Sequence, residues 1–168
     1  MGILRSARQI SSDETMELAI ATLERAGKMP VRVERDVPGF VGNRLQHALW
    51  REAIDLVASG VCDAKTVDLV VRNTIGLRLA EMGPMENADY VGLDLTLAIH
   101  RQILPSINRD PHASPYLERM VTDGDLGAKT GRGFLDWPEG SRDAAAARLS
   151  AHVQRQLAER TPTTGRND

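Results

Sequence analysis

Between Phe40 and Ala58, Val41, Leu45, Ala48, Leu49, Ala53, Leu56 and Val57 recur at helical spacing along one wide apolar stripe. Arg44, Gln46, Arg51, Glu52 and Asp55 fall largely off it. The pattern predicts a core helix of about five turns, entered through a loop built on Pro38 and Gly39.

The same periodicity marks further helices. Ser12 suits an N-cap, Asp13 and Glu14 a first turn, and Met16, Ala19, Ile20 and Leu23 an apolar face that ends at Gly27. Pro30 to Val33 reads as a short strand. Ser59-Gly60 stops the long helix, and Asp63 caps a second one running to Asn73. Residues 76–83 read as a connection, Pro84 starts a short helix up to Tyr90, and Gly92 breaks it before another helix that ends near Pro105. After a polar loop over 106–114 come a short helix from Pro115, a glycine-rich stretch over 124–133, and a final helix carrying Leu149, Val153 and Leu157.

Composition narrows the class. The 168 residues suit one domain with a core, and low aromatic content with apolar residues at helical period predicts an all-α fold. A formal charge of −2 gives neither a nucleic-acid footprint nor a polybasic membrane patch. Cys62 is the single cysteine, so no internal disulfide or cysteine metal cluster can form, and its default role is a small buried hydrophobe. No apolar stretch reaches the length needed to span a bilayer, and no leader pattern opens the chain, which predicts a cytoplasmic protein.

The start of the long helix is chemically distinctive. Gly39 and Gly42 lack a β-carbon and let a backbone or ligand come close, while Asn43 brings an amide that both donates and accepts. The positive end of the helix would favour an electron-rich oxygen. On these residues alone the other reading stands beside it: Asn43 caps the helix and the glycines shape a turn.

Asp36-Val37-Pro38-Gly39-Phe40-Val41-Gly42-Asn43-Arg44-Leu45 resembles the segment that opens the C-terminal domain of the L-3-hydroxyacyl-CoA dehydrogenase family. Met82-Gly83-Pro84-Met85-Glu86 with Asp89-Tyr90-Val91-Gly92-Leu93-Asp94, and Lys129-Thr130-Gly131-Arg132-Gly133-Phe134, are similar to its second and closing signatures. The three stand in the family's order and spacing over residues 30–137. The resemblance implies a compact multi-helix domain over 36–160. It also implies that residues 1–35 are a helix-strand remnant of a Rossmann-type NAD-binding domain otherwise absent, with 161–168 a disordered tail.

The resemblance also implies chemistry: oxidation of a 3-hydroxy to a 3-oxo group in fatty-acid metabolism. Asn43 would be the catalytic and substrate-binding residue at the reacting oxygen, and Gly42 would let substrate approach. The family's His and Glu belong to the absent domain. None of His47, His100, His112 and His152 has the family's His-x-x-Asn-Pro neighbourhood, Leu4 stands where the Glu would fall, and no Gly-x-Gly-x-x-Gly is present. The chain alone is therefore expected neither to bind NAD nor to turn over substrate. The expected partners are a second copy in a homodimer, a separate NAD-binding domain and an acyl-CoA substrate, with neither nucleic acid nor membrane. Relatives with this domain acting on free hydroxy acids or sugar acids keep that substrate class open, as does a non-catalytic association module.

Other groups carry less. The histidine spacings match no zinc pattern. Glu86 and Asp89, three apart on a short helix, read first as a solvated or dipole-complementing face. Lys129 and Arg132 sit in a glycine-rich loop where they could meet phosphates, but the loop reads more simply as the turn that returns Phe134 to the core.

Overall fold

Ser12 caps the first helix as its sequence predicts. In the computed structural model, which describes residues 12–159, α1 (Asp13–Arg25) begins with the Ser12 hydroxyl accepting from the Thr15 N–H. Arg32 then folds back on α1, with nitrogens 2.9 Å from Asp13, 3.6 Å from Glu17 and 3.8 Å from Glu34. Met16 on α1 is the one buried hydrophobic side chain among the described residues, at 6% exposure. The strand expected at 30–33 is not formed: among the described residues there is no sheet for it to join. Two isolated antiparallel bridges, Gly127 to Arg132 and Arg132 to Asp136, are the bridge pairings found among the described residues.

α2 (Phe40–Ala58) runs over the predicted span. The chain divides within it into two units, Met1–Trp50 and Arg51–Asp168. In the second unit follow α3 (Ala64–Asn73), α4 (Ile75–Leu79), α5 (Pro84–Val91), α6 (Leu93–Ile103), α7 (Pro115–Thr122) and α8 (Ser141–Glu159). Asp63 caps α3 through the Thr66 N–H at 2.7 Å, and Pro84 takes the first position of α5. Here the all-α fold expected from the apolar period is realised.

One element was not anticipated. Residues 76–79, the start of the stretch read as connection, belong to the short α4 (Ile75–Leu79), which packs on α3. Leu77 and Leu79 belong to this extra turn rather than to a loop. α5 in turn packs on α6, with the Thr96 hydroxyl directed at the Ala88 carbonyl at 3.4 Å.

The glycine-rich loop is tied by its own backbone. Gly127 donates to the Arg132 carbonyl at 2.7 Å, Thr130 donates to Gly127, and Trp137 donates to Gly131 at 2.7 Å. The Thr130 hydroxyl accepts from the Leu126 N–H at 2.9 Å. A β-carbon on Gly133 would lie 2.6 Å from the Gly127 Cα, so this crossing needs glycine. Phe134 returns against Tyr116 of α7 with ring centroids 6.1 Å apart.

The apolar stripes remain uncovered. Leu45 on α2 is 59% exposed and Leu93 on α6 is 64% exposed, and Leu69, Leu77, Ile99 and Leu149 are also open. α2 was expected to be a core helix. Among the described residues its Val41, Leu45 and Leu49 are exposed, while Ala53, Leu56 and Val57 are half-buried. Among the described residues no helix is long and apolar enough to cross a membrane.

Candidate functional site

The entry to α2 is a tight turn. Pro38 and Gly39 occupy its centre, Gly39 has φ +81°, and the Phe40 N–H donates to the Val37 carbonyl at 3.0 Å. Pro at the first central position and Gly at the second is the pattern this turn geometry selects. Phe40 also has a positive φ, 48°, which a residue with a β-carbon adopts at a cost of about 1–2 kcal/mol. The strain sits immediately before the Gly42-Asn43 pair.

Asn43 is the fourth residue of α2, not its cap. The cap position falls to Gly39, so the capping reading of Asn43 does not describe this geometry. The Asn43 side chain is exposed and hydrogen-bonds to none of the described residues. Gly42, one position earlier, is also exposed. An amide held on a rigid helix with both its donor and its acceptor free is suited to meet a ligand oxygen.

His47 and Trp50 follow on the same helix. They stand four and seven residues after Asn43 along one side of the helix, where Trp50 also stands seven residues before Val57 and so lies at the edge of the apolar stripe. Their rings meet edge to face, centroids 5.1 Å apart at 75°. Trp50 is 48% exposed. The sequence reading treated His47 only as a helical histidine and passed over Trp50. The spacing of four and seven from Asn43 was the available signal.

The second unit carries a polar tether. Asn108 donates its backbone N–H to Glu52 Oε2 at 2.9 Å and its side-chain amide to Asp55 Oδ1 at 2.7 Å. Its own Oδ1 accepts from the Asp110 N–H, and Asp110 Oδ1 accepts from the His112 N–H and lies 2.8 Å from its Nδ1. Those bonds, the backbone one first, hold the Asp110 carboxyl below the usual carboxylate range. Read from sequence, 106–114 was simply a polar surface loop, because the partners lie more than fifty positions away.

A groove of about 640 Å³ lies beside this tether, with Leu97 and Leu104 in its wall and Arg51, His100, Arg101 and Arg109 around it. His100 and Arg101 fall in the last turn of α6, where positive side chains complement the carbonyl end of the helix.

The remaining candidates resolve toward structure. Arg132 is held by Asp125, its Nε and Nη2 lying 3.2 and 2.9 Å from Oδ2, while Lys129 is exposed. Glu86 sits in the first turn of α5, and both it and Asp89 are exposed. His112 and His152 are exposed, and Cys62 is half-buried. Among the described residues no group of three or more His, Cys, Asp or Glu side chains could hold a metal ion.

The family model for the 3-hydroxyacyl-CoA dehydrogenase C-terminal domain matches residues 39–137. The chain belongs to the 3-hydroxyacyl-CoA dehydrogenase family. The match begins at Gly39 of the strained turn and ends at Trp137, so it takes in Asn43, both helix pairs and the glycine loop.

Within this family several relatives are similar. The 5-formyl-3-hydroxy-2-methylpyridine 4-carboxylate 5-dehydrogenase of Mesorhizobium japonicum is 34% identical over 155 residues, 88% of this chain and 50% of that protein. An L-carnitine dehydrogenase of Streptomyces griseus is 52% identical over 129 residues, 66% of this chain and 38% of that one. A "Probable 3-hydroxybutyryl-CoA dehydrogenase" of Deinococcus radiodurans is 38% identical over 76% of this chain and 45% of its own. A crystal structure of the pyridine-carboxylate dehydrogenase, described as an NAD+-dependent dismutase, superposes with TM-score 0.83 at 31% identity, covering 95% of this chain and 52% of that one. The chain thus spans about half the length of the curated relatives it matches.

Among the described residues no glycine-rich turn joins a strand to a helix. Such a turn is where the pyrophosphate of a nicotinamide dinucleotide sits in a Rossmann-type domain.

Proposed function

We propose that this chain supplies the substrate-side helical half of an NAD-dependent dehydrogenase that oxidises a hydroxyl group beta to a carboxyl or thioester, with 3-hydroxyacyl-CoA the first candidate. Asn43 meets the reacting oxygen and holds it in line, and Gly42 leaves room for it. The observation that supports this reading is the free, exposed Asn43 amide in the first turn of α2, immediately after the strained Gly39-Phe40 entry. A separate domain holds the cofactor and the residue that moves the proton. Residues 12–35 fit the edge of such a domain.

The substrate need not be a thioester. The relatives named for L-carnitine and for a pyridine carboxylate act on small free acids that carry a nitrogen group, and acids of this kind stand beside acyl-CoA as substrates for this chain.

The test is to mix the protein with a nucleotide-binding partner and follow NADH with acetoacetyl-CoA, and with L-carnitine in the oxidative direction. Turnover that falls about 100-fold in Asn43→Ala is expected. No turnover in any mixture would sink the catalytic role.

A second reading concerns association. Apolar side chains on α2, α3, α6 and α8 are open, and each such side chain gains about 1.5–3 kcal/mol when covered. We infer that a second copy of the chain covers them in a homodimer.

A further inference from the structure

We propose that the groove lined by Arg51 of α2, the end of α6 and the loop after it binds a small amphiphilic anion, one with a carboxylate or phosphate head and a short apolar chain. The groove lies wholly within the second unit and does not depend on the role of Asn43.

Charge is segregated around it. Arg51, His100, Arg101 and Arg109 line the groove, and none of the residues that line it is Asp or Glu. The chain as a whole carries 23 acidic side chains against 21 Lys and Arg, so three arginines around one hollow without a carboxylate depart from its average surface. The carbonyl end of α6 accounts for His100 and Arg101. It does not account for Arg51, in the interior of α2, or for Arg109, in the loop that follows α6.

The nearby carboxylates are engaged elsewhere. Glu52 and Asp55 accept from Asn108, and Asp110 accepts from His112. The bonds from His112 come first in holding Asp110 charged and Arg51 adds a smaller share, yet no ion pair closes between Arg51 and Asp110. Among the described residues none closes on Arg101 or Arg109 either. The tether through Asn108 thus fixes the groove wall while leaving the arginines without a neutralising partner.

That arrangement selects a ligand. Guanidinium groups carry N–H donors in a planar fork that matches the oxygens of a carboxylate or phosphate, and they accept nothing. Leu97, Leu104 and Pro105 give the groove an apolar wall, with Leu97 and Leu104 about half exposed and so open to a chain laid along them. A hollow of about 640 Å³ has the size of a small-molecule site. A second copy presenting this same face across a two-fold axis would set arginine against arginine, which disfavours it as the occupant.

The whole chain is titrated calorimetrically with hexyl phosphate and hexanoate. Inorganic phosphate serves as the head alone, and hexylammonium as the same chain with opposite charge. Saturable one-to-one binding of a hexyl anion is expected, about threefold tighter for each methylene added and absent with hexylammonium. The tighter of the two anions assigns the head group. Arg101→Gln with Arg109→Gln should weaken binding about tenfold, while Arg155→Gln, an equally exposed arginine on α8, should leave it unchanged. Leu104→Gln should weaken the hexyl anions about threefold and leave inorganic phosphate as it was.

Equal binding of hexylammonium, or inorganic phosphate binding as tightly as hexyl phosphate, overturns the proposal. So does binding that is unchanged in the Arg101→Gln, Arg109→Gln protein with native helical circular dichroism, or that falls equally in Arg155→Gln. A change of oligomeric state in the double variant, with no anion bound by either protein, would make the groove a protein interface instead.

Discussion

The side-chain amide of Asn108 donates to Asp55 Oδ1 at 2.7 Å across 53 positions of sequence. Its backbone N–H donates to Glu52, one helical turn from Asp55 on α2. Together the two carboxylates moor the loop after α6 to the second half of α2.

Replacing Asn108 by Ala keeps the backbone bond to Glu52 and removes both side-chain ones, the charge-assisted bond to Asp55 and the one accepted from the Asp110 N–H. Stability should fall by about 1–2 kcal/mol. Asn108→Asp should cost more, because it sets a third carboxylate against Glu52 and Asp55. Urea unfolding followed by helical circular dichroism measures both, and a loss below a few tenths of a kcal/mol would mean the loop is held otherwise.

Gly133→Ala places a methyl group 2.6 Å from the Gly127 Cα, against backbone that cannot yield without breaking the Gly127 to Arg132 bond. A destabilisation of about 1–3 kcal/mol is expected. Lys129→Ala in the same loop should leave stability unchanged, since that side chain is exposed. Comparing the two separates backbone closure from charge.

Acid should act through Asp63 and Asp110. Hydrogen bonds from Thr66, the side-chain one first, hold the Asp63 carboxyl below the ordinary carboxylate value of 3.8, and those from His112, the backbone one first, do the same for Asp110. A carboxyl lowered in the folded state contributes stability above its unfolded pKa and loses it as pH falls through the folded one. The stability advantage of the native chain over Asp63→Ala should thus be constant near neutrality and shrink below pH 3.8. Denaturant midpoints taken across that range test the sign, and a gap that widened in acid would contradict it.

A homodimer should appear in sedimentation velocity at micromolar concentration, with a thermal midpoint that rises as the protein is concentrated. Leu93→Glu, at a side chain that is 64% exposed, should dissociate it. A monomer with a concentration-independent midpoint would show that the open apolar faces await some other partner.

Much of the helical layout was legible because its signals are local. Ser12, Asp63 and Pro84 mark helix starts by short-range hydrogen bonding or a preset φ, and Gly92 marks a break. α4 was missed because five residues hold too little periodicity to separate a helical turn from a connection. The strand expected at 30–33 is not formed among the described residues, since β-branched residues report a preference, while a strand exists only with a neighbour to pair with.

By itself the sequence determined an all-α chain of the 3-hydroxyacyl-CoA dehydrogenase family, with its motifs in order and Asn43 in the opening one, because periods, caps and turns are written in nearest neighbours. Tertiary structure decided what depends on distance in space. It put Asn43 inside the first turn rather than at the cap, paired the His47 and Trp50 rings, moored Asn108 to Glu52 and Asp55, and left Val41, Leu45 and Leu49 of the α2 stripe exposed. A helical stripe shows that a side chain prefers to be covered, but only the packed chain shows whether anything covers it.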